Sequence, residues 1–176
     1  MGKGATVWLT GLSGAGKTTI CRLVERKLSE AGVPTERLDG DEVRSRLCPD
    51  LGFSREDRIR NIERVSYVAK LLTRHGVVVL ASFISPYRSM RAFLRSEIDP
   101  FVEVYVKCPL EECIRRDVKG LYRKALAGSI PAFTGISDPY EEPDHPELVL
   151  DTENETAEES AAKTIEYLKE RGYVSV

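Results

Sequence analysis

Gly11-Leu12-Ser13-Gly14-Ala15-Gly16-Lys17-Thr18 fills every fixed position of the pattern G-x-x-x-x-G-K-[ST]. Such a stretch wraps backbone N–H groups around phosphate oxygens, because glycines permit the turn and a helix start adds partial positive charge. Lys17 is expected to reach the β- and γ-phosphates of a nucleotide, and Thr18 to hold Mg²⁺ through its hydroxyl. Gly11, Ser13, Gly14, Ala15, Gly16, Lys17, Thr18 and the adjoining Thr19 therefore make up the expected nucleotide site. No Asn-Lys-x-Asp stretch of the kind that reads guanine occurs in the chain, so ATP is the expected nucleotide. An unliganded glycine turn is the plain alternative. The motif's place after a strand-like run and before a helix-period segment argues for the phosphate site.

Two acids, Asp39 and Asp41, supply the second set of chemistry-bearing groups. They follow the second strand-like run, whereas the apolar run Val77–Ala81 does not end in an acid as motor-type ATPases require. In a parallel sheet, that position lies at the carboxyl edge beside the phosphate loop. Asp41 there could orient an acceptor hydroxyl, take its proton and hold a Mg²⁺-bound water, which suits a small-molecule kinase. Equally, Asp41 could simply cap a helix over Glu42–Leu47, a position Asp favours.

The elements that must position these groups read as an α/β chain with a five-stranded parallel sheet flanked by helices, a phosphate-loop NTPase fold. Strands are expected at Thr6–Thr10, Thr35–Asp39, Val77–Ala81, Phe101–Val106 and Leu148–Leu150. The run Val77–Ala81 is apolar on both faces, as a central strand should be. Helices are expected over Lys17–Glu30, from Ser54 or Arg55 to His75, and from Thr156 to near Gly172. Ser54 with Asp57, and Thr156 with Glu159, have the spacing of capping boxes. Between Gly128 and Pro146, glycines and prolines replace helical periodicity, and a loop of that length is commonly a functional lid. Residues 1–176 thus read as a single domain with a lid at about 119–146.

Composition narrows the partners. With 26 basic and 28 acidic residues the net charge is -2, which speaks against a nucleic-acid binder. No apolar run is long enough for a membrane span, and Met1–Ala5 leads directly into a strand without room for a leader, so the expected location is the cytoplasm. Cysteines 21, 48, 108 and 113 are not grouped with the two histidines as a zinc site needs, and are expected as reduced, buried thiols.

Beyond these local signals, the chain resembles the adenylyl-sulfate kinase family in several stretches taken in order. They are Leu38-Asp39-Gly40-Asp41 with Val43-Arg44, Asp50-Leu51-Gly52-Phe53-Ser54 with Glu56-Asp57-Arg58 and Asn61, and Ser82-Phe83-Ile84-Ser85-Pro86-Tyr87-Arg88. Asp117-Val118-Lys119-Gly120-Leu121-Tyr122 and Phe133-Thr134-Gly135-Ile136-Ser137-Asp138-Pro139-Tyr140-Glu141 complete the likeness. The resemblance implies phosphorylation of the 3′-hydroxyl of adenosine 5′-phosphosulfate (APS) by Mg-ATP, giving 3′-phosphoadenosine 5′-phosphosulfate (PAPS). It also implies that Arg44, Arg58 and Asn61 grip the acceptor, that Phe53 and Phe133 stack on its adenine, and that Lys119, Ile84 and Ser85 touch it. By the same likeness Arg116, or Arg115, flanks the ATP adenine. Ser85 matches a serine proposed as a phosphorylated intermediate in bacterial members; direct in-line transfer is the expectation here, since no base or lysine accompanies Ser85 in sequence. A homodimer is implied, as is a sulfate adenylyltransferase upstream that makes the substrate.

Two residues depart from the family pattern: Glu42 and Cys48 stand where Asn is common. Glu42 would weaken binding of an anionic acceptor unless it points away. The competing readings are a kinase for another hydroxyl, of the gluconate, shikimate or nucleoside type, and a non-catalytic subunit that senses ATP. The first has no use for paired phenylalanines beside acceptor-side arginines, and against the second stand an intact Asp41 and the lid.

Overall fold

The computed structural model describes residues 3–176. Its sheet has five parallel strands: β1 (Ala5–Thr10), β2 (Thr35–Asp39), β3 (Val78–Ser82), β4 (Phe101–Lys107) and β5 (Leu148–Asp151), in the order β2-β3-β1-β4-β5. β1 is central and every residue in it is buried. Successive side chains of a strand face opposite sides, and both sides of this one are covered by helices. Val7 and Leu9 pack with Ile20, Val24 and Leu28 of α1 (Lys17–Glu30) and with Ile165 and Leu168 of α7 (Ala157–Glu170). Trp8 and Val79 face Ile62, Val65 and Ala69 of α3 (Arg55–Arg74) and Leu94 of α4 (Arg88–Glu97). The remaining helices are α2 (Gly40–Leu47), α5 (Leu110–Arg116) and α6 (Leu121–Leu126).

The chain runs from β1 out to β2, returns to β3 beside β1, then crosses to β4 on the other flank. A crevice therefore opens at the carboxyl end of β1, where successive connections leave in opposite directions. The phosphate loop, the acids after β2 and the segment after β3 all lie at this edge.

Several expected boundaries shift. The third strand is Val78–Ser82 rather than Val77–Ala81, because Leu72 O accepts from the Val77 N–H and draws that residue into the helix-ending turn. Helix α2 starts at Gly40, and its N-cap is Asp39, whose side chain accepts from the Asp41 N–H at 3.2 Å. Asp41 is thus in the first turn and is not the cap. At α3, Ser54 caps as expected, but the reciprocal bond of a capping box is replaced by Asp57 accepting from the Gly52 N–H at 2.9 Å. The α7 box is complete, with Thr156 and Glu159 each bonded to the other's backbone. The expected lid contains helix α6 followed by the long loop Gly128–Pro146, with an isolated bridge between Thr134 and Asp138. All four cysteines are free and buried. Among the described residues no helix is long and apolar enough to cross a membrane.

Candidate active site

Between β1 and α1 the loop Gly11–Gly16 folds with its carbonyls turned to protein partners. Tyr122 Oη donates to Ser13 O at 2.7 Å, and Thr152 Oγ1 donates to Ala15 O at 2.7 Å. Gly16, at φ 107°, hands the chain into α1 in a conformation that suits glycine. A Cβ on Gly11 would lie 2.5 Å from Val106 O, so β4 approaches the loop too closely for any side chain there. With the carbonyls occupied, backbone N–H groups remain to face an anion at the start of α1.

Lys17 is buried, and its ammonium donates to Gly11 O at 2.9 Å and Leu12 O at 2.7 Å. Burial brings its pKa down from 10.5 to about 8. Next to it, Thr18 Oγ1 donates to Asp39 Oδ2 at 2.8 Å, and Ser82 Oγ donates to the same oxygen at 3.1 Å. Burial works to raise the Asp39 pKa, but hydrogen bonds from Thr18, the Asp41 backbone and Ser82 hold it below the usual carboxylate range. Asp39 therefore stays ionised against the hydroxyl expected to bind a metal. Sequence reasoning noted this acid but gave its role to Asp41; only pairing of β2 with β3, and β3 with β1, brings Asp39 to Thr18.

A cleft of about 750 Å³ extends from the loop toward α3. Its lining includes Ser13, Gly14, Gly16, Lys17, Thr18, Thr19 and Asp41 from the nucleotide side, and Arg44, Phe53, Arg58, Asn61, Ile84, Ser85, Lys119 and Phe133 beyond them. Of the residues expected in the site, Gly11, Ala15 and Arg116, with its alternative Arg115, are outside this lining. Gly11 and Ala15 are structural parts of the loop. Arg116 is tied to Glu112 Oε1 at 2.8 Å and to Thr152 O at 2.6 Å, one hydrogen bond removed from Ala15. Glu42 is exposed and is not among the residues lining the cleft. Cys48 is buried at the end of α2.

Each cation of the acceptor half is held by the protein itself. Arg44 stacks on Phe53, with its guanidinium carbon 4.2 Å from the ring centroid, and donates to Gly52 O. Arg58 Nε donates to Phe53 O at 2.9 Å; its other nitrogens reach Thr134 Oγ1 at 3.0 Å, Ala132 O and Asp138 Oδ2 at 3.2 Å. Lys119 is ion-paired with Asp41 across the cleft mouth. Phe53 is 64% exposed, while Phe133 is half-buried and meets Tyr122 edge-on with centroids 5.1 Å apart. An exposed aromatic ring flanked by a guanidinium is a platform for a flat ring.

Asn61 points to a missing partner. It is 6% exposed, and its Oδ1 has no hydrogen-bond partner, although buried polar atoms are nearly always bonded. It lines the cleft, so a ligand donor would satisfy it. Ser85 is the opposite case: 3% exposed, accepting from Trp8 Nε1 at 3.0 Å and donating to Thr10 Oγ1 at 3.1 Å. The carbonyls of Ile84 and Ser85 are taken by Thr10 Oγ1 at 2.7 Å and Arg91 Nη1 at 2.6 Å.

Arg58 joins the α2–α3 connection to the long loop. Its replacement by Met is expected to speed amide exchange of residues 131–138 by about tenfold or more, since its charge-assisted contacts with Ala132, Thr134 and Asp138 are all lost. Residues 11–18 should be unaffected in the same experiment. Equal exchange in both proteins would show that the loop is held elsewhere.

Residues 3–151 match the family model described as adenylylsulphate kinase. The chain is 62% identical over 174 residues to an adenylyl-sulfate kinase of Halothermothrix orenii, covering 99% of this chain and 94% of that protein. It is 58% identical over 173 residues to an adenylyl-sulfate kinase of Rippkaea orientalis, covering 98% and 96%. The fold superimposes on the Mycobacterium tuberculosis APS kinase, solved in complex with AMPPNP and APS, with a TM-score of 0.92 and 47% identity over 96% of this chain and 99% of that one.

Proposed function

The chain belongs to the adenylylsulphate kinase family, and from that premise we propose how its cleft moves the γ-phosphoryl group of ATP to the 3′-hydroxyl of APS. The observation that carries the reading is the form of the site: one cleft holds a phosphate loop at one end and an arginine-flanked aromatic ring at the other. Two nucleotides fit that plan end to end. The AMPPNP and APS bound by the Mycobacterium tuberculosis relative support it.

ATP lies with its phosphates on the N–H groups of residues 11–18, and Lys17 exchanges the carbonyls of Gly11 and Leu12 for phosphate oxygens. The donor set beside Thr18 would fit Mg²⁺: a hydroxyl, the ionised Asp39 and the nearby Asp41. When bound, such an ion neutralises charge on the phosphates. Thr18 and Asp41 are the residues proposed to hold it, with Asp39 behind the Thr18 hydroxyl.

On the acceptor side, Arg44 and Arg58 bind the phosphosulfate, and Phe53 and Phe133 take the adenine faces. Asn61 Oδ1 accepts from the ligand, and Lys119 leaves Asp41 to bind the acceptor. Asp41, freed, orients the 3′-hydroxyl and accepts its proton as the new P–O bond forms and the bond to ADP breaks. Ser85 has both hydrogen-bonding capacities engaged behind the wall, which supports direct in-line transfer over a phosphoserine relay. The loop Gly128–Pro146 acts as a lid that excludes water from the transfer. A homodimer in the cytoplasm, supplied with APS by a sulfate adenylyltransferase, completes the proposal.

The test is direct. Purified protein with Mg-ATP and APS should release ADP and PAPS in equal amounts, and gluconate, shikimate or adenosine should give at most a few per cent of that rate. A rate with any of these equal to that with APS would overturn the acceptor assignment.

A further inference from the structure

We propose that Arg91, which lies outside the cleft, is the positioning residue that fixes its acceptor wall and ties that wall to the base of the lid. Arg91 is on α4 and is 2% exposed, a degree of burial that arginine tolerates only with partners on every side. Its guanidinium spans two separate backbone segments. Nη1 donates to Ser85 O at 2.6 Å, and Nη2 donates to Glu141 O in the lid's returning limb. Nε lies 3.8 Å from Glu103 of β4, itself 6% exposed, and the guanidinium carbon is 5.7 Å from the centroid of the Tyr140 ring.

What Arg91 grips from one side, a directed hydrogen-bond chain grips from the other. The Thr10 hydroxyl has one proton, which goes to Ile84 O, so the hydroxyls of Ser85 and Tyr140, at 3.1 and 2.9 Å, must both donate to Thr10. Ser85 in turn accepts from the indole N–H of Trp8. The result is that Ser85 is held by hydroxyl and carbonyl together, at a φ of 40° that a residue with a Cβ seldom adopts. Such a conformation persists only where the surroundings over-determine it. Phe83, Ile84, Ser85 and Pro86 are the stretch it sets, and all four line the cleft.

The planar fork explains why this residue is arginine. Two carbonyls from different segments are met at once, and the ion pair with Glu103 holds the group in place. Lysine could keep the pair with Glu103 but has no fork to span both carbonyls.

The inference rests on the reading of this cleft as an APS site, and its test separates the two. In Arg91→Lys, the KM for APS should rise about tenfold or more while the KM for ATP stays within about twofold, the signature of a displaced acceptor wall with an intact phosphate loop. The double variant Arg91→Met/Glu103→Gln removes the buried charges together and should recover thermal stability without recovering the KM for APS. A purely structural role predicts the reverse, with KM restored as stability returns. Amide exchange measured without substrate should accelerate at residues 84–86 and 140–142 of Arg91→Lys and stay unchanged at 11–18. If the wild type phosphorylates no APS, the APS reading fails and the exchange result alone decides the role of Arg91. An unchanged KM for APS in a folded variant, KM values rising together, or unaltered exchange at 84–86 overturns the proposal.

Discussion

Lys17→Met is expected to abolish most phosphoryl transfer, by about a thousandfold in kcat/KM for ATP, while removing a stability cost that the wild type carries at neutral pH. The lysine is buried, and burial lowers its pKa from 10.5 to about 8. Between those values the unfolded chain binds a proton that the folded protein does not, so wild-type stability rises with pH in that window. The cost is fully present below pH 8, amounts to about 3 kcal/mol, and shrinks by about 1.4 kcal/mol per pH unit above it. Methionine fills the same space without the charge but leaves the carbonyls of Gly11 and Leu12 without the ammonium, which offsets about 1 kcal/mol or more of the gain. The clean measurement is the difference between the two proteins in denaturant at pH 7 and pH 9, where the wild type should gain on the variant by about 1 kcal/mol. Cys21 and Cys113, pushed by burial up to about 12, oppose this trend above pH 9, but they do so in both proteins and cancel. Phosphates reverse the cost by giving the ammonium a partner. ATP binding by the wild type should therefore take up a proton above pH 8, visible as a buffer-dependent enthalpy absent from Lys17→Met. A difference in stability that does not vary with pH would show that Lys17 is not desolvated in the free enzyme.

Much of this fold is written locally. The strand Ala5–Thr10, the glycine loop and α1 are contiguous, so pattern and context could be read together, and the double-sided apolar run of β3 marks a central strand. Helix α4 was not legible for a physical reason. Its sequence carries Arg88, Arg91 and Arg95, a residue type seldom buried; in the fold Arg91 is buried, and Arg95 forms a bidentate pair with Glu147 at 2.5 and 2.9 Å. Those partners are some 50 residues away, at |i−j| of 50 and 52. Helices α5 and α6, of 7 and 6 residues, are too short for a period to stand out.

The site shows the same division. Residue types in the cleft were identifiable from motif and resemblance, but not what each cation does without ligand. Arg44, Arg58, Lys17 and Lys119 are all engaged with carbonyls or carboxylates of the protein itself, contacts that depend on the folded loop. Asp39 illustrates the limit most clearly. As the residue before α2 it caps the helix through one oxygen and holds Thr18 and Ser82 through the other, two roles from separate parts of the chain. Local reading left Asp41 open between helix cap and catalytic acid, and gave Asp39 neither role. Because the cap is Asp39, the Asp41 side chain is released for chemistry.

That release makes Asp41→Asn the sharpest probe of the transfer step. The substitution keeps the side chain's shape and leaves Asp39 to start the helix, so the cost to folding should not exceed about 0.5 kcal/mol, the loss of one charge in the first turn. It removes the proton acceptor. If Asp41 takes the proton from the 3′-hydroxyl, kcat should fall by about 10²–10⁴ with ATP affinity within about threefold of wild type. Asp41 also pairs with Lys119, and that pair must open for APS to bind as proposed. Lys119→Met separates the two duties: it should raise the KM for APS yet leave kcat within about tenfold. Were Lys119→Met to lose as much kcat as Asp41→Asn, the acid would matter only for holding the lysine. The proposed contact of Asp41 with Mg²⁺ is separable from the proton step, for Asp41 could matter through the metal alone. The defect of Asp41→Asn should then shrink as Mg²⁺ is raised, whereas a lost proton acceptor stays lost at any metal concentration. The base assignment requires a kcat defect confined to Asp41→Asn and insensitive to Mg²⁺, because the other two carboxylates lining the cleft are already committed: Asp39 to Thr18 and Ser82, and Asp117 to the N–H groups of Tyr122 and Arg123.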